Sequence, residues 1–267
     1  LQTEIDPDGR IRTSYNIAGT TTGRLSSAFS DFGTGTNLQN IEQRLRRIFI
    51  ADPGYKFANI DLKSGDSFGV GMILYDLFSD SKYLDACESG DIHTSVARLA
   101  WHNVPWTGDI KKDRALAEST MGYRDLSLRD LSKKLGHGTN YYGKPHTMAR
   151  HTKLPTDVIQ DFQTRYFAQF PLQRWHGQVQ STLLTQGYLV TLLGRKRWFF
   201  GRRNDDQTLR EAIAYEPQSI TSDTINGGML DLWRANVCGH KTHSRGLVAR
   251  NLLFCCPIRR WTRALKP

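Results

Sequence analysis

The strongest constraint on the fold is a long central stretch, residues 68 to 185, in which apolar residues recur at helical spacing. The spacing predicts a series of helices with a further one after the stretch: 71–88, 93–101, 110–121, 127–142, 156–186 and 206–233. Residues 55–62 alternate like a strand, and residues 188–200 predict a hairpin that turns at Gly194. The sequence therefore predicts an α+β fold in which helices dominate the middle of the chain.

Composition fits a folded chain of one large domain or two modest ones. The chain has 267 residues, and it has no apolar run long enough to span a bilayer. The net charge is +10, but residues 232–267 hold eight basic residues and no acidic one, which leaves +2 for residues 1–231. Bulk charge is therefore weak evidence for nucleic-acid binding. Cys87 is the only cysteine before residue 232, which suits a reducing, cytoplasmic location without a disulfide framework.

The C-terminal segment, residues 234–267, does not continue the helical pattern. It shows no clear helical or strand period and carries scattered arginines. Two interpretations stay open: a solvated basic tail, or a reading frame that shifts after an ordered helix. A zinc site at Cys255 and Cys256 is disfavoured, because adjacent cysteines lack the two-residue gap of a zinc knuckle.

Two aspartates mark the end of the predicted strand. Asp61 lies at the strand end, and Asp66 follows five residues later. A carboxylate in this position suits a hard divalent cation such as Mg²⁺, which prefers oxygen ligands. The alternative is a surface aspartate that begins a turn, and spacing alone favours that alternative.

A row of side chains spaced four apart marks the predicted helix 127–142: Arg129, Lys133, His137 and Tyr141. Such a row extends about 18 Å along one slowly turning face, and it could hold a triphosphate at its cationic end and a base at its aromatic end. The alternative is an amphipathic helix with a solvated basic stripe. Gly138 and Gly143 each cost ~1 kcal/mol relative to alanine in a helix, which suggests that something approaches this backbone closely.

Other positions are weak signals when taken singly. Arg24 lies in a Gly-Arg pair flanked by threonine and serine, which suits contacts to a nucleic-acid backbone. Asp91 is placed to cap a helix, from which His93 could reach a phosphate. Residues 216–219 form a polar break in a helical region, and Gln218 by itself is uninformative.

The order of these motifs is far more specific than any one of them. Thr-x-x-Gly-Arg-Leu-Ser-Ser precedes Asn-Leu-Gln-Asn-Ile, and then come a strand ending in aspartate, Asp-Ile-His, the helical row, a Gly-Arg hairpin and a Pro-Gln helix. From residue 10 to about 234 the chain resembles family A (polymerase-I-like) DNA polymerases, in particular the phage branch. The resemblance implies an incomplete right-hand polymerase fold, with an antiparallel palm sheet and a helical fingers insertion.

The same resemblance implies a division of the chain and a reaction. The predicted parts are the N-terminal palm part, the fingers, the C-terminal palm part and an aberrant basic tail: 1–70, 71–186, 187–233 and 234–267. The reaction is template-directed DNA synthesis, in which two Mg²⁺ ions assist transfer of a dNTP to a primer 3′-hydroxyl. The implied partners are primer–template DNA and dNTPs, with no membrane.

Site residues follow from the resemblance position by position. Asp61 would hold a metal ion with the backbone carbonyl of Leu62, and Asp66 replaces a glutamate that excludes the ribose 2′-hydroxyl. Arg129 and Lys133 would grip the triphosphate with help from His93, and Lys133 joins Asp61 as a catalytic residue.

The remaining implied contacts are to bases and to the duplex. His137 stands where the family usually has Phe or Tyr, and Tyr141 would lie beside the templating base. Tyr142 intervenes before Gly143, where the family has glycine directly. Residues similar to those that contact primer–template DNA are Arg24, Asn37, Gln39, Asn40 and Gln218.

One expected group is missing from the sequence. The family's second metal carboxylate belongs in a His-Asp hairpin downstream of Gln218, yet no acidic residue follows Asp231. We therefore expect a palm-and-fingers fragment that holds at most one Mg²⁺ well and is catalytically incomplete. Two alternatives stay open: a non-catalytic nucleic-acid-binding remnant of the fold, and a single-subunit RNA polymerase relative, against which the acidic Asp66 counts.

Overall fold

The computed structural model describes residues 5–29, 33–51, 53, 55–235, 247–248 and 251–257, and for residues 43, 55–61, 247–248 and 251–257 it describes the backbone only. The chain forms two compact units. The first unit comprises residues 1–63 and 221–267, and the second comprises residues 64–220. The predicted helical stretch lies in the second unit. The division into palm and fingers parts stays a prediction.

Helices dominate the described residues, as the apolar spacing predicts. Their bounds are α1 Gly65–Phe78, α2 Lys82–Glu88, α3 Ile92–Ala100, α4 Ile110–Ser119, α5 Leu128–Asn140, α6 Pro145–Thr152, α7 Thr156–Gln169, α8 Leu172–Gln186 and α9 Asp206–Arg234. None of these helices is long and apolar enough to cross a membrane.

Two helix predictions and one predicted break need correction. The predicted helix 71–88 is two helices, since α1 ends before Ser79, whose φ of 52° is left-handed. The predicted helix 156–186 is also two, because Pro171 cannot donate to an intrahelical bond and follows the extended Phe170. The polar segment 216–219 does not break α9, which continues through Pro217.

A main apolar core joins most helices of the second unit, and a smaller cluster of Ala97, Ala117 and Leu128 packs α4 against α3 and α5. The largest fully buried side chains of the main core come from several helices and include Trp175, Tyr83, Tyr215 and Phe162. At one crossing, α1 lies so close to α9 that a Cβ on Gly69 would stand 3.1 Å from the Pro217 Cα. Glycine at this position therefore allows the two helices to approach.

Small antiparallel sheets complete the fold, and this α+β architecture confirms the predicted class. The paired strands are β1 Ser14–Asn16 with β2 Ser26–Ala28, β4 Met121–Tyr123 with β5 Leu126–Ser127, and β6 Tyr188–Val190 with β7 Lys196–Trp198. The last pair is the hairpin that the sequence predicts, and it turns at Gly194 with a φ of +84°. Short 3₁₀ helices cover Leu38–Asn40 and Gln43–Ile48.

The three-stranded sheet includes part of the C-terminal segment. β3 Tyr55–Asp61 pairs with β9 Asn251–Pro257, and β9 pairs with β8 Leu247–Val248. The sequence predicts no strand after residue 234, and for β9 this prediction is wrong. The reason is that residues 252–256 form one continuous apolar run, which has no alternation to detect. Residues 236–246, 249–250 and 258–267 lie outside the described residues, and the reading-frame alternative stays a prediction.

Candidate functional site

Helix α5 carries the row of side chains that the sequence singles out. Its inner face is fixed by Leu131 and Leu135, which are almost completely buried. Its outer face exposes Lys133 and His137. Ser127 caps the helix by accepting from the Asp130 backbone N–H at 3.1 Å. The amphipathic pattern therefore presents the cationic row to solvent.

Arg129, the first member of the row, is held by a carboxylate from the start of α3. Its Nε donates to Asp91 Oδ2 at 2.8 Å and its Nη2 donates to Asp91 Oδ1 at 3.2 Å. Such a two-point contact fixes the plane of the guanidinium. Glu118 lies 3.6 Å from the same Nε. Arg129 is thus oriented by protein partners and is not a freely solvated stripe residue.

Asp91 is itself rigidly placed at the N-terminus of α3. Its Oδ1 accepts from the His93 backbone N–H at 3.2 Å, and its Oδ2 accepts from the Thr94 hydroxyl at 3.0 Å. Burial alone would raise the pKa of this carboxyl, but the hydrogen bonds and charge of Arg129 hold the pKa below its usual value. Asp91 is therefore an ionised, nearly buried partner of the row.

His93 lies within the electrostatic field of the row. Burial lowers the pKa of His93 to about 4, Asp91 opposes this shift, and Arg129, Lys133 and His137 add to it. The imidazole is therefore neutral at pH 7 and can donate or accept a hydrogen bond. The structure thus brings together four predicted site residues: His93, Arg129, Lys133 and His137.

The aromatic end of the row is shaped by the end of α5. The ring of His137 stands edge-on to that of Tyr141, with 4.7 Å between centroids. Tyr142 then takes the left-handed conformation, with a φ of +60°. The Gly143 N–H bonds to the Gly138 carbonyl at 2.8 Å, which closes a helix-terminating motif whose left-handed position is usually glycine. Tyr142, which intervenes before Gly143, therefore occupies this left-handed position.

Protein atoms make the close approach that Gly138 and Gly143 suggest. A Cβ on Gly138 would stand 2.7 Å from Met148 Cε of α6, and a Cβ on Gly143 would stand 2.6 Å from the Gly138 carbonyl oxygen. These glycines therefore serve the packing of α6 against the end of α5.

A buried polar network anchors the same end of α5. Asn140 donates to the Tyr83 hydroxyl at 2.6 Å and accepts from the Tyr166 hydroxyl at 3.0 Å. His176 Nε2 lies 3.0 Å from the Asn140 carbonyl oxygen, and burial lowers the pKa of His176 to about 4. Sequence reasoning missed this network, because its members lie on α2, α5, α7 and α8 and form no local motif.

The predicted metal residues lie at the end of β3 and just beyond it. Asp61 is the last residue of β3, as predicted, but its side chain lies outside the described part of the structure. Leu62 follows and is 40% exposed, and Ser64 is left-handed with a φ of 54°. Asp66 lies in the first turn of α1 and is partly buried.

The other two strands of the sheet that contains Asp61 supply no carboxylate for a second Mg²⁺ ion. The β3–β9 register places Asp61 opposite Asn251, and β8 pairs Val248 with that same residue. Neither β8 nor β9 contains a carboxylate. Among the described residues, no group of three or more His, Cys, Asp and Glu could hold a metal ion. One strand-end carboxylate can serve one hard cation, whereas a pair needs more oxygen ligands.

The predicted duplex-contacting residues of the first unit organise a loop. The Gln39 side chain donates to the Leu25 carbonyl at 2.7 Å and accepts from the Ser27 N–H at 2.9 Å. Asn37 accepts from the Gln39 N–H at 2.9 Å and so caps the short helix Leu38–Asn40. Asn40 is exposed and Arg24 is half-buried. Gln39 and Asn37 thus hold the segment that presents Asn40 and Arg24.

Gln218 lies on α9 in the second unit, directly after Pro217, and is partly buried. Its neighbour Glu216 is an unusual carboxyl. Burial, with a smaller effect of the nearby Asp76, raises the pKa of Glu216 to about 7. The helix therefore carries a titratable group in its packed region, which the sequence alone gave no reason to expect.

Comparison with known proteins is consistent with these features. The DNA polymerase family A model matches residues 1–248. The thermostable DNA polymerase I of Thermus aquaticus is 29% identical over 212 residues, covering 76% of this chain and 22% of that protein. The DNA polymerase I of Chloroflexus aurantiacus is 29% identical over 239 residues, covering 85% of this chain and 23% of that protein.

A solved structure extends the likeness to the fold. The POL domain of Pol1 from M. smegmatis, in complex with DNA primer-template and dNTP, superposes with a TM-score of 0.74 at 25% identity. The match covers 97% of this chain and 44% of that one. The chain spans less than a quarter of the length of the curated relatives named above. With the family model covering most of its length, the chain belongs to DNA polymerase family A.

Proposed function

We propose that this chain is the palm-and-fingers portion of a polymerase that carries out template-directed DNA synthesis, and that it binds dNTPs and primer–template DNA. The observation that carries the proposal is the cluster on α3 and α5. There, Arg129 is fixed by Asp91, while Lys133 lies exposed on the same face as His137. Membership of family A and the likeness to a Pol1 domain support the same reaction class.

Each side chain of the cluster has a defined task in binding the nucleotide. Lys133 supplies an ammonium charge, and Arg129 supplies a planar donor set that suits phosphate oxygens. His93 is neutral, so it contributes a hydrogen bond and not a charge. Tyr141, edge-on to His137, lies at the end of the row where a base would be placed. Asp66, in the first turn of α1, would stand against a ribose 2′-hydroxyl.

The reaction itself needs divalent cations, which supply charge stabilisation at the transferred phosphoryl group. Asp61 and the Leu62 carbonyl would hold one such ion. The other strands of the β3 sheet, β9 and β8, supply no second carboxylate. We therefore propose that this chain binds substrates but extends primers negligibly. Contacts to the duplex are assigned to Arg24, Asn40 and Gln218, with Asn37 and Gln39 supporting the first two.

The test is binding of a fluorescent dATP analogue to the full chain, followed by fluorescence anisotropy. Replacing Lys133 with alanine should weaken binding about 10-fold, because a charge-assisted contact to phosphate is lost. Lys134 is the matched control, since it is also exposed on α5 but lies off the row. Lys134→Ala should leave the affinity unchanged. Equal losses in both variants, or no binding by the wild-type chain, would count against the proposal.

A second function is favoured by the missing carboxylate in β8 and β9. The chain would then be a nucleic-acid-binding remnant of the fold without catalytic activity. An Asp61→Ala variant separates the two. Unchanged affinity for a primer–template duplex, with no nucleotide binding in either form, favours the remnant.

A further inference from the structure

We propose that Asp91 is a positioning residue for nucleotide binding, which acts by orienting Arg129 towards the triphosphate. The inference rests on the proposed function, because it names how one of its residues is held. Asp91 lies 38 positions before Arg129 in the chain, at the start of a different helix. Its carboxylate contacts Arg129 at two points.

The contact uses one defined edge of the guanidinium. Asp91 takes the Nε and Nη2 donors of Arg129. A guanidinium has five N–H groups in a rigid plane, so three remain, two of them on Nη1. Among the described residues, Nη1 of Arg129 has no hydrogen-bond acceptor. A carboxylate on one edge therefore fixes the direction in which the other edge can meet a second oxyanion.

The support behind Asp91 is rigid enough for this task. Asp91 is 7% exposed, and its carboxylate also accepts from the His93 N–H and the Thr94 hydroxyl. Arg114 lies 3.7 Å from its Oδ2 and adds a further positive charge. The Arg129 side chain is 19% exposed, so it still reaches solvent. Neighbouring groups therefore fix the Asp91 carboxylate, while the Arg129 side chain remains accessible to solvent.

Asp113 on α4 shows what a purely structural aspartate looks like in this chain. It is fully buried and accepts from the Thr107 N–H, the Thr107 hydroxyl and the Gly108 N–H. These bonds close the loop that precedes α4. The Nε of Arg98 lies 3.3 Å from Asp113 Oδ2. None of these partners belongs to the α5 row. Asp113 is therefore a matched control for Asp91.

The decisive variant is Asp91→Asn, which keeps a good helix-capping residue and removes the charge. In the full chain, binding of the fluorescent dATP analogue should weaken about 10-fold, because the arginine loses its charge-assisted two-point anchor. Asp113→Asn should lower thermal stability without changing the dATP affinity of the folded protein. Unchanged or tighter binding by Asp91→Asn would overturn the proposal, the latter by showing that Asp91 competes with phosphate.

A double-mutant cycle separates positioning from a general structural loss. If Asp91 acts through Arg129, Asp91→Asn should cause no further loss of affinity in an Arg129→Ala background. Additive losses would refute the coupling. Failure of the proposed function looks different, because wild-type chain would then bind no dATP analogue and Lys133→Ala would change nothing.

Discussion

His93 shows how one side chain takes its properties from a neighbouring helix. Burial and the cations of α5 keep it neutral, with a pKa of about 4. A triphosphate bound at Arg129 and Lys133 would offset that positive charge and bring its own negative charge close. Both effects favour the protonated imidazole. Nucleotide binding and protonation of His93 are therefore linked.

We expect dATP to raise the pKa of His93, which an NMR titration of the imidazole Cε1–H measures directly. The sign follows from linkage, since a group that binds protons more tightly in the complex favours binding as the pH falls from the raised pKa towards 4. His176 is an internal control, because it is buried against the Asn140 carbonyl and also has a pKa of about 4. A His93 pKa unmoved by dATP would contradict the linkage.

At the scale of single residues, the sequence predicts the helical spacing but not the contacts between helices. The spacing of Arg129, Lys133 and His137 is visible in the sequence, because helical periodicity is local. The pairing of Arg129 with Asp91 is not, because it joins residues from separate helices. The Asp-x-His pattern indicates a helix cap, and that cap exists. Nothing in the pattern reveals that the same carboxylate holds an arginine.

At the scale of elements, the junction of α5 and α6 depends on two glycines, Gly138 and Gly143, which have no side chain. The backbone at Gly143 bonds to Gly138, and Met148 packs against both. Two glycines near a helix end correctly signal a close approach. The sequence does not say what approaches, since that depends on how α6 folds back.

Gly143→Ala should destabilise the chain by about 1–3 kcal/mol, because the new methyl would meet a backbone oxygen that cannot easily move. Gly177→Ala on α8 is the opposite case. Among the described residues, no atom beyond the neighbouring helix backbone lies within 4 Å of a Cβ built there, so alanine should stabilise the helix by about 0.5–1 kcal/mol. Urea unfolding of both variants checks the pair. Equal effects of the two substitutions would show that packing at Gly143 has been misjudged.

Proline has opposite effects at two positions in the helices. Pro171 separates α7 from α8, as its missing N–H leads one to expect. Pro217 instead lies inside α9, buried where α1 crosses at Gly69. Whether a proline ends a helix therefore depends on packing around it, which local sequence does not contain.

For the molecule as a whole, the order of weak motifs predicts the family that the comparisons show. The α+β class was also predictable, because helical periodicity and short strands are both local signals. The relation of β9 to β3 was not, since pairing between strands almost two hundred residues apart leaves no periodic mark. The phage branch stays a prediction.

Primer extension tests the activity of the whole chain. With Mg²⁺, dNTPs and a labelled primer–template, we expect no extension product above background, because β8 and β9 of the same sheet as Asp61 supply no second carboxylate. Thermus aquaticus DNA polymerase I, a relative of this chain, provides the positive control. Processive extension by this chain alone would refute the prediction of an incomplete catalytic centre.

The pairing of β9 with β3 shows that sheet formation and catalysis depend on different chemical groups. A sheet is closed by peptide N–H and carbonyl groups, which every non-proline residue possesses. Catalysis depends on one particular side chain at one register position. A strand without a carboxylate, such as β9, can therefore complete the sheet by its backbone alone. Shape alone would then be an unreliable guide to which members of the family still copy a template.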